Sequence, residues 1–183
     1  MKKITKIFLI LGLLFIGLAF SLLCYLELED INSSKKSALV MNTILRDINE
    51  KNTDEKVLNI NGFNYIGYLV IPSLDINLPI TANYTEESLK ISPSLYYGSV
   101  NKNMIICGHA YKSQFKYLYQ LKTGDKVIFT DINNNTYMYE VVLIEEIKQN
   151  EINKMLNSEF DLTLYTCTFN NLSRVTVRCK KIS

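Results

Sequence analysis

The chain contains one histidine, His109, so any imidazole chemistry it performs runs through that residue. His109 follows the apolar run Met104-Ile105-Ile106-Cys107 and then Gly108. That places it at the end of a buried strand, where a rigid element can aim a side chain. Without further context a lone histidine there reads as structural, hydrogen-bonded near the surface. Cysteines stand at positions 24, 107, 167 and 179. Cys24 lies in an apolar N-terminal run, which leaves an odd number for the rest of the chain, and an odd thiol outside a cell is unpaired or bridges molecules. Cys167 ends Thr163-Leu164-Tyr165-Thr166-Cys167, a strand pattern that puts Thr163 and Tyr165 on its face. It is open to two readings, a structural or disulfide-bonded thiol and a reactive one. Cys107 and Cys179 sit in apolar strand contexts and read as small core residues. Arg174 opens the next strand-like run, and a hairpin would return it beside Cys167. A guanidinium there can stabilise a thiolate or a developing oxyanion. Arg178, further along the same strand face, is the alternative, and arginines on surface strands are otherwise solvated.

These residues need a frame. From residue 66 onward the sequence falls into short β-like runs at 66–71, 74–80, 104–107, 126–131, 137–145, 162–167 and 174–182. Pro72 stops the first run and Pro79 breaks the alternation of the second. Asn133-Asn134-Asn135 reads as a hairpin turn, and an Asn-rich loop joins the final pair. Helical pieces are expected over 86–90, 114–121 and 151–156. Seven or eight short strands with few helices predict a mainly β fold, a barrel or a sandwich.

In front of this lies a different texture. Residues 7–26 carry no charge, and about 20 helical residues span roughly 30 Å, the thickness of a bilayer's hydrocarbon core. Lys2, Lys3 and Lys6 precede the run, and Glu27, Glu29 and Asp30 follow it, which orients an uncleaved signal-anchor with its N-terminus in the cytoplasm. A cleaved signal peptide would have a shorter apolar region and a small-x-small site, and a lipoprotein anchor at Cys24 would need a small residue where Leu23 stands. Ala38, Met41, Ile44, Leu45 and Ile48 fall at helical spacing and predict a helix leading from the membrane, a stalk. The formal net charge is +2, and beyond the apolar run the remaining bases nearly balance the 18 acids. Nucleic acid is not an expected partner.

The separate signals recur together as one known arrangement. Thr163-Leu164-Tyr165-Thr166-Cys167 followed by Arg174 resembles the Thr-Leu-x-Thr-Cys…Arg signature of sortases. Gly108-His109 after an apolar strand is similar to that family's histidine site. Phe115, Leu118, Leu121 and Gly124-Asp125-Lys126-Val127 resemble its F-x-x-L-x-x-L-x-x-G-D-x-V segment, and Gly67 to Leu74 through Leu78-Pro79-Ile80 its opening strands. The resemblance implies an eight-stranded sortase β-barrel with short helices, preceded by a transmembrane helix. It implies Cys167 as nucleophile, His109 as general acid/base and Arg174 as the oxyanion or substrate-positioning group. The implied reaction cleaves a C-terminal sorting signal of the LPxTG kind through a Cys thioester and transfers the surface protein to a cell-wall amine, such as a peptidoglycan precursor. Hydrolysis without transfer, or a non-catalytic surface binding barrel, are the alternatives.

The resemblance also sets a layout. Residues 1–6 would be a cytoplasmic tail, 7–26 the signal-anchor, 27–60 an extracellular linker and helix, and 61–183 the catalytic barrel on the outer face of a Gram-positive type cell membrane. No cofactor is implied, and calcium activation is open because the acids are scattered rather than ligand-spaced. Residues 27–65 hold no proline, so the Asp-Pro-aromatic lid of the pilin-polymerising class C is not expected, and with the sequence stopping at Ser183 neither is that class's second membrane helix. Residues 148–159 are too few for the long class B helix. A class A-like or D-like enzyme is expected. Cys107, two residues before His109, raises a redox-sensitive second thiol against plain core packing.

Overall fold

The apolar run and the polar stretch after it form one helix. In the computed structural model, which describes residues 2–50, 56–100, 102–156, 159–168 and 172–182, helix α1 spans Lys2–Glu50. No glycine or proline interrupts it beyond Gly17. Its first half is long and apolar enough to cross a membrane, and its side chains there are exposed. The second half is more than the expected stalk. Ser33, Ser37, Val40, Met41 and Ile44 are buried, while Ala38 and Leu45 of the predicted stripe are exposed. The docked face repeats at 30/37/44 and 33/40; it keeps Met41 and Ile44 of the predicted stripe, with Ile48 packed against it, and extends N-terminally through Asp30 and two serines that hydropathy does not mark. Val40 and Ile44 pack with Tyr65, each buried apolar side chain contributing roughly 1.5–3 kcal/mol.

Beyond the helix, eight strands close into a barrel. They are β2 (Phe63–Ile71), β3 (Ile76–Thr81), β4 (Ser94–Ser99), β5 (Lys102–Cys107), β6 (Lys126–Asp131), β7 (Thr136–Lys148), β8 (Leu162–Cys167) and β9 (Ser173–Lys181). Their order is β2-β3-β4-β5-β8-β9-β7-β6, and β6 returns to pair with β2. A short β1 (Leu58–Ile60) pairs with the start of β2. Helices α2 (Glu86–Leu89) and α3 (Ile152–Leu156) lie outside. Alternate residues of β2, among them Leu69 and Ile71, point inward to meet Ile106, Phe129, Val141, Leu164 and Val177. Gly67 permits the closure: at φ +148 it sits so close to β6 that a Cβ would lie 2.0 Å from the Thr130 carbonyl oxygen. Pro79 is tolerated because β3 pairs with β4 only at Thr81↔Ser94, so the missing N–H breaks no ladder bond on that side.

Two elements differ from the sequence expectation. β4 was not foreseen, because Ser94-Leu95-Tyr96-Tyr97-Gly98-Ser99 lacks an apolar alternation and its register with β5 shifts twice. Residues 114–121 are not an α-helix but successive tight turns, with the short 3-10 segment Leu118–Gln120. Leu118 N donates to Phe115 O and Leu121 N to Leu118 O, each at 3.2 Å. A spacing of three stacks Phe115, Leu118 and Leu121 on one side of a three-residue turn, and all three plug the barrel. The Asn-rich tip at 169–171 and residues 51–55 and 157–158 lie outside the described residues.

Candidate active site

β8 and β9 form an antiparallel hairpin whose register sets Cys167 opposite Arg174. Cys167 is exposed at the end of its strand, and all four cysteines are free. β5 runs parallel to β8 with Cys107 opposite Tyr165, and Gly108 N donates to Tyr165 O at 3.1 Å. His109 and Cys167 each stand two residues beyond that pair. The parallel strands therefore deliver the imidazole and the thiol to the same mouth of the barrel, and the antiparallel β9 starts there with the guanidinium.

The histidine loop is folded back on itself. His109 N donates to Gln114 Oε1 at 3.0 Å, and Phe115 N donates to His109 O at 3.1 Å. The Phe115 ring lies over Gly108 so closely that a Cβ would come within 2.7 Å of it, which is why a glycine precedes the histidine. The imidazole stacks on Tyr111, with ring centroids 4.6 Å apart and 28° between planes. Its Nε2 is buried and has no partner among the described residues. Burial pushes its pKa below the ordinary 6.5, the Glu86 and Glu29 carboxylates oppose that, and Lys90 adds to it. The ring is therefore neutral at neutral pH, able to take a proton from a thiol.

Arg174 is half-buried. Its Nη1 donates to Gln149 O at 3.3 Å, and its guanidinium carbon lies 5.8 Å from the Tyr165 ring centroid. Arg178 is elsewhere. It pairs with Thr163, is 1% exposed, and donates to Glu145 Oε1 and Thr163 Oγ1 at 3.0 Å each and to the carbonyls of Lys154 (3.1 Å) and Met155 (3.3 Å). Far from being solvated, it is the largest fully buried side chain, holding α3 to the barrel. Cys179 lies in the barrel core, and Cys107 in an outer apolar layer with Ile105, Ile147, Met155 and Tyr165. Burial pushes both thiols up to about 12.

Aromatic side chains not singled out in the sequence complete the wall. Tyr84, Tyr96 and Tyr165 form an edge-to-face ladder, each step 5.7 Å between centroids at 89°. Tyr96 and Tyr165, with Arg174, Ile147, Ile152 and Met155, line a crevice of about 10 Å³, room for about one water. Tyr96 escaped notice because β4 itself did, and Tyr84 because it stands alone in a polar loop.

The family model for the sortase domain matches residues 69–182. Among solved structures, the chain resembles sortase C1 from Streptococcus agalactiae at 29% identity and a TM-score of 0.59, covering 69% of this chain and 72% of that one. It resembles Clostridium perfringens sortase C, solved with the C-terminal cell wall sorting motif, at 24% identity and a TM-score of 0.59, over 78% and 89% of the two chains. A lid mutant of Corynebacterium diphtheriae sortase A matches at 23% identity and a TM-score of 0.58, over 80% and 96%. No curated protein matches the chain.

Proposed function

The chain belongs to the sortase family, and from that premise we propose that it is a membrane-anchored cysteine transpeptidase with Cys167 as nucleophile, His109 as general acid/base and Arg174 as the oxyanion or substrate-positioning group. The observation that carries this reading is the cross-strand pairing of Cys167 with Arg174 at the end of the barrel where His109 follows β5.

The neutral imidazole of His109 takes the Cys167 proton as sulfur attacks the carbonyl carbon of the scissile bond in a sorting-signal peptide. The carbonyl oxygen becomes an oxyanion beside the Arg174 guanidinium, whose charge persists at any working pH. Collapse breaks the C–N bond, and His109 returns its proton to the leaving amine. The acyl fragment stays on Cys167 as a thioester until an amine attacks it, which joins surface protein to acceptor.

The layout follows the same reading. Residues 1–6 are the cytoplasmic tail and residues 7–26 the anchor, with the barrel from residue 61 on the outer face. The α1 face against the barrel begins at Asp30, roughly 6 Å along the helix past Leu26, so the mouth sits close to the bilayer surface, where a membrane-held substrate and acceptor would meet it. We read the subclass as A-like or D-like. Residues 27–65 carry no proline for a class C lid, and the connection from β7 to β8 holds only the five-residue α3. The test is to incubate the full chain in detergent with a panel of sorting-signal peptides, with and without amine acceptors, and to identify products by mass. Joined product with amine is the expected result. Cleavage that amines never divert would mean a hydrolase, and no cleavage at all would mean a binding barrel.

A further inference from the structure

The membrane-proximal turns of α1 grip the histidine loop at three consecutive points, although more than 80 positions separate the two segments. The Asp30 carboxylate, 9% exposed, accepts Lys112 N through Oδ2 at 3.0 Å and Ser113 N through Oδ1 at 3.1 Å, and it also accepts the Ser113 hydroxyl. Gln114, 1% exposed, donates through Nε2 to Ser33 Oγ at 3.0 Å and to Leu89 O at 2.9 Å, while its Oε1 accepts His109 N. The Glu29 carboxylate lies near Tyr111, and the Tyr111 ring is the face on which His109 stacks.

We propose that Asp30 and Gln114 are positioning residues for His109, so that the first turns of α1 beyond the membrane anchor form part of the machinery that aims the imidazole. The inference rests on His109 acting as the general acid/base. A catalytic imidazole is usually oriented by a third group bonded to its ring. Here the buried Nε2 has no such partner among the described residues. Orientation instead comes from the backbone clamp at His109 N, held from α1 through Gln114 and Ser33, and from the Tyr111 platform, which adjoins the Lys112–Ser113 backbone that Asp30 holds. Three donors converge on the one Asp30 carboxylate, and every polar atom of the Gln114 amide group is engaged. Such fully satisfied buried networks rigidify what they hold. The Glu27–Lys112 ion pair at 2.7 Å is exposed at both ends and stands outside this clamp.

The experiment uses the full chain in detergent micelles and compares Asp30→Ala, Asp30→Asn, Gln114→Ala, His109→Ala and, as a surface control, Glu27→Gln. Turnover of a sorting-signal peptide is resolved into kcat and KM. The imidazole resonance of the sole histidine is followed by NMR in all but the His109 variant. Asp30→Ala and Gln114→Ala are expected to lower kcat about 10–100-fold with KM within about threefold, and to shift or broaden the imidazole signal. Asp30→Asn, which keeps one acceptor, should recover part of the loss, and Glu27→Gln should match wild type. A fall in melting temperature with unchanged kcat and an unchanged imidazole signal would overturn the proposal, leaving Asp30 and Gln114 as fold residues only. His109→Ala that keeps turnover would overturn the underlying site reading, whatever the other variants do. Loss at His109 with wild-type kcat at both clamp residues would overturn the clamp alone.

Discussion

Cys167 and Arg174 are cross-strand partners at the open end of the β8–β9 hairpin, whereas Arg178 on the same strand pairs with Thr163 and is sealed in the protein. The two arginines therefore fail differently. Arg174→Ala is expected to cost on the order of 10²–10³ in turnover with the fold intact. Lys should rescue it poorly, because a point charge cannot reproduce a planar donor fork. Measured turnover and melting temperature separate this from a structural loss.

Arg178→Ala leaves Thr163 and two α3 carbonyls without this donor, while Glu145 keeps Lys154 at 3.2 Å. Each buried acceptor left unsatisfied costs about 1–3 kcal/mol. Urea unfolding should register that loss, and any fall in activity should track the folded fraction. Full stability with lost turnover would mean that Arg178, not Arg174, serves the thiol.

The cysteines should sort by burial. Cys107 and Cys179 are buried, with thiols pushed up to about 12, so almost none is thiolate at pH 8, while Cys167 is exposed. Iodoacetamide followed by peptide mapping should mark Cys167 and spare the other two. Cys167→Ala should abolish cleavage, and Cys107→Ala and Cys179→Ala should retain substantial activity. Equal loss at Cys107 would point to a dithiol mechanism.

His109 gives a pH signature with a definite sign. Its folded-state pKa lies below the ordinary 6.5, chiefly because burial disfavours the charged ring. The unfolded chain then binds more protons between the two values, so this residue's contribution to stability grows as pH rises toward 6.5 and is level above it. Below the folded pKa that contribution is lost, and the imidazole can no longer accept the thiol proton. NMR titration of the single imidazole should give a midpoint below 6.5, and His109→Gln should flatten the stability slope in that window. A midpoint above 6.5 would contradict the buried, neutral ring.

Much of this arrangement was legible before the fold. Strands carrying strong alternation or apolar runs, such as Leu162–Cys167 and Lys126–Asp131, fall where the pattern put them. The register that pairs Arg174 with Cys167 followed from hairpin geometry alone. What escaped was whatever depends on distant partners. β4 is held by irregular pairing to β5 rather than by its own alternation. The docking face of α1 uses an aspartate and serines that only become interior once the histidine loop arrives. Arg178 looks like a surface arginine until α3 folds over it and offers two carbonyls.

The most direct test of the central claim is to trap the acyl intermediate. The full chain is mixed with a sorting-signal peptide, quenched with acid, digested, and mapped by mass. The expected result is the peptide's N-terminal fragment attached to the Cys167 peptide through a thioester, disappearing when an amine acceptor is added and absent in His109→Ala. An adduct on another cysteine, or peptide cleaved with no covalent intermediate at any time, would contradict the account.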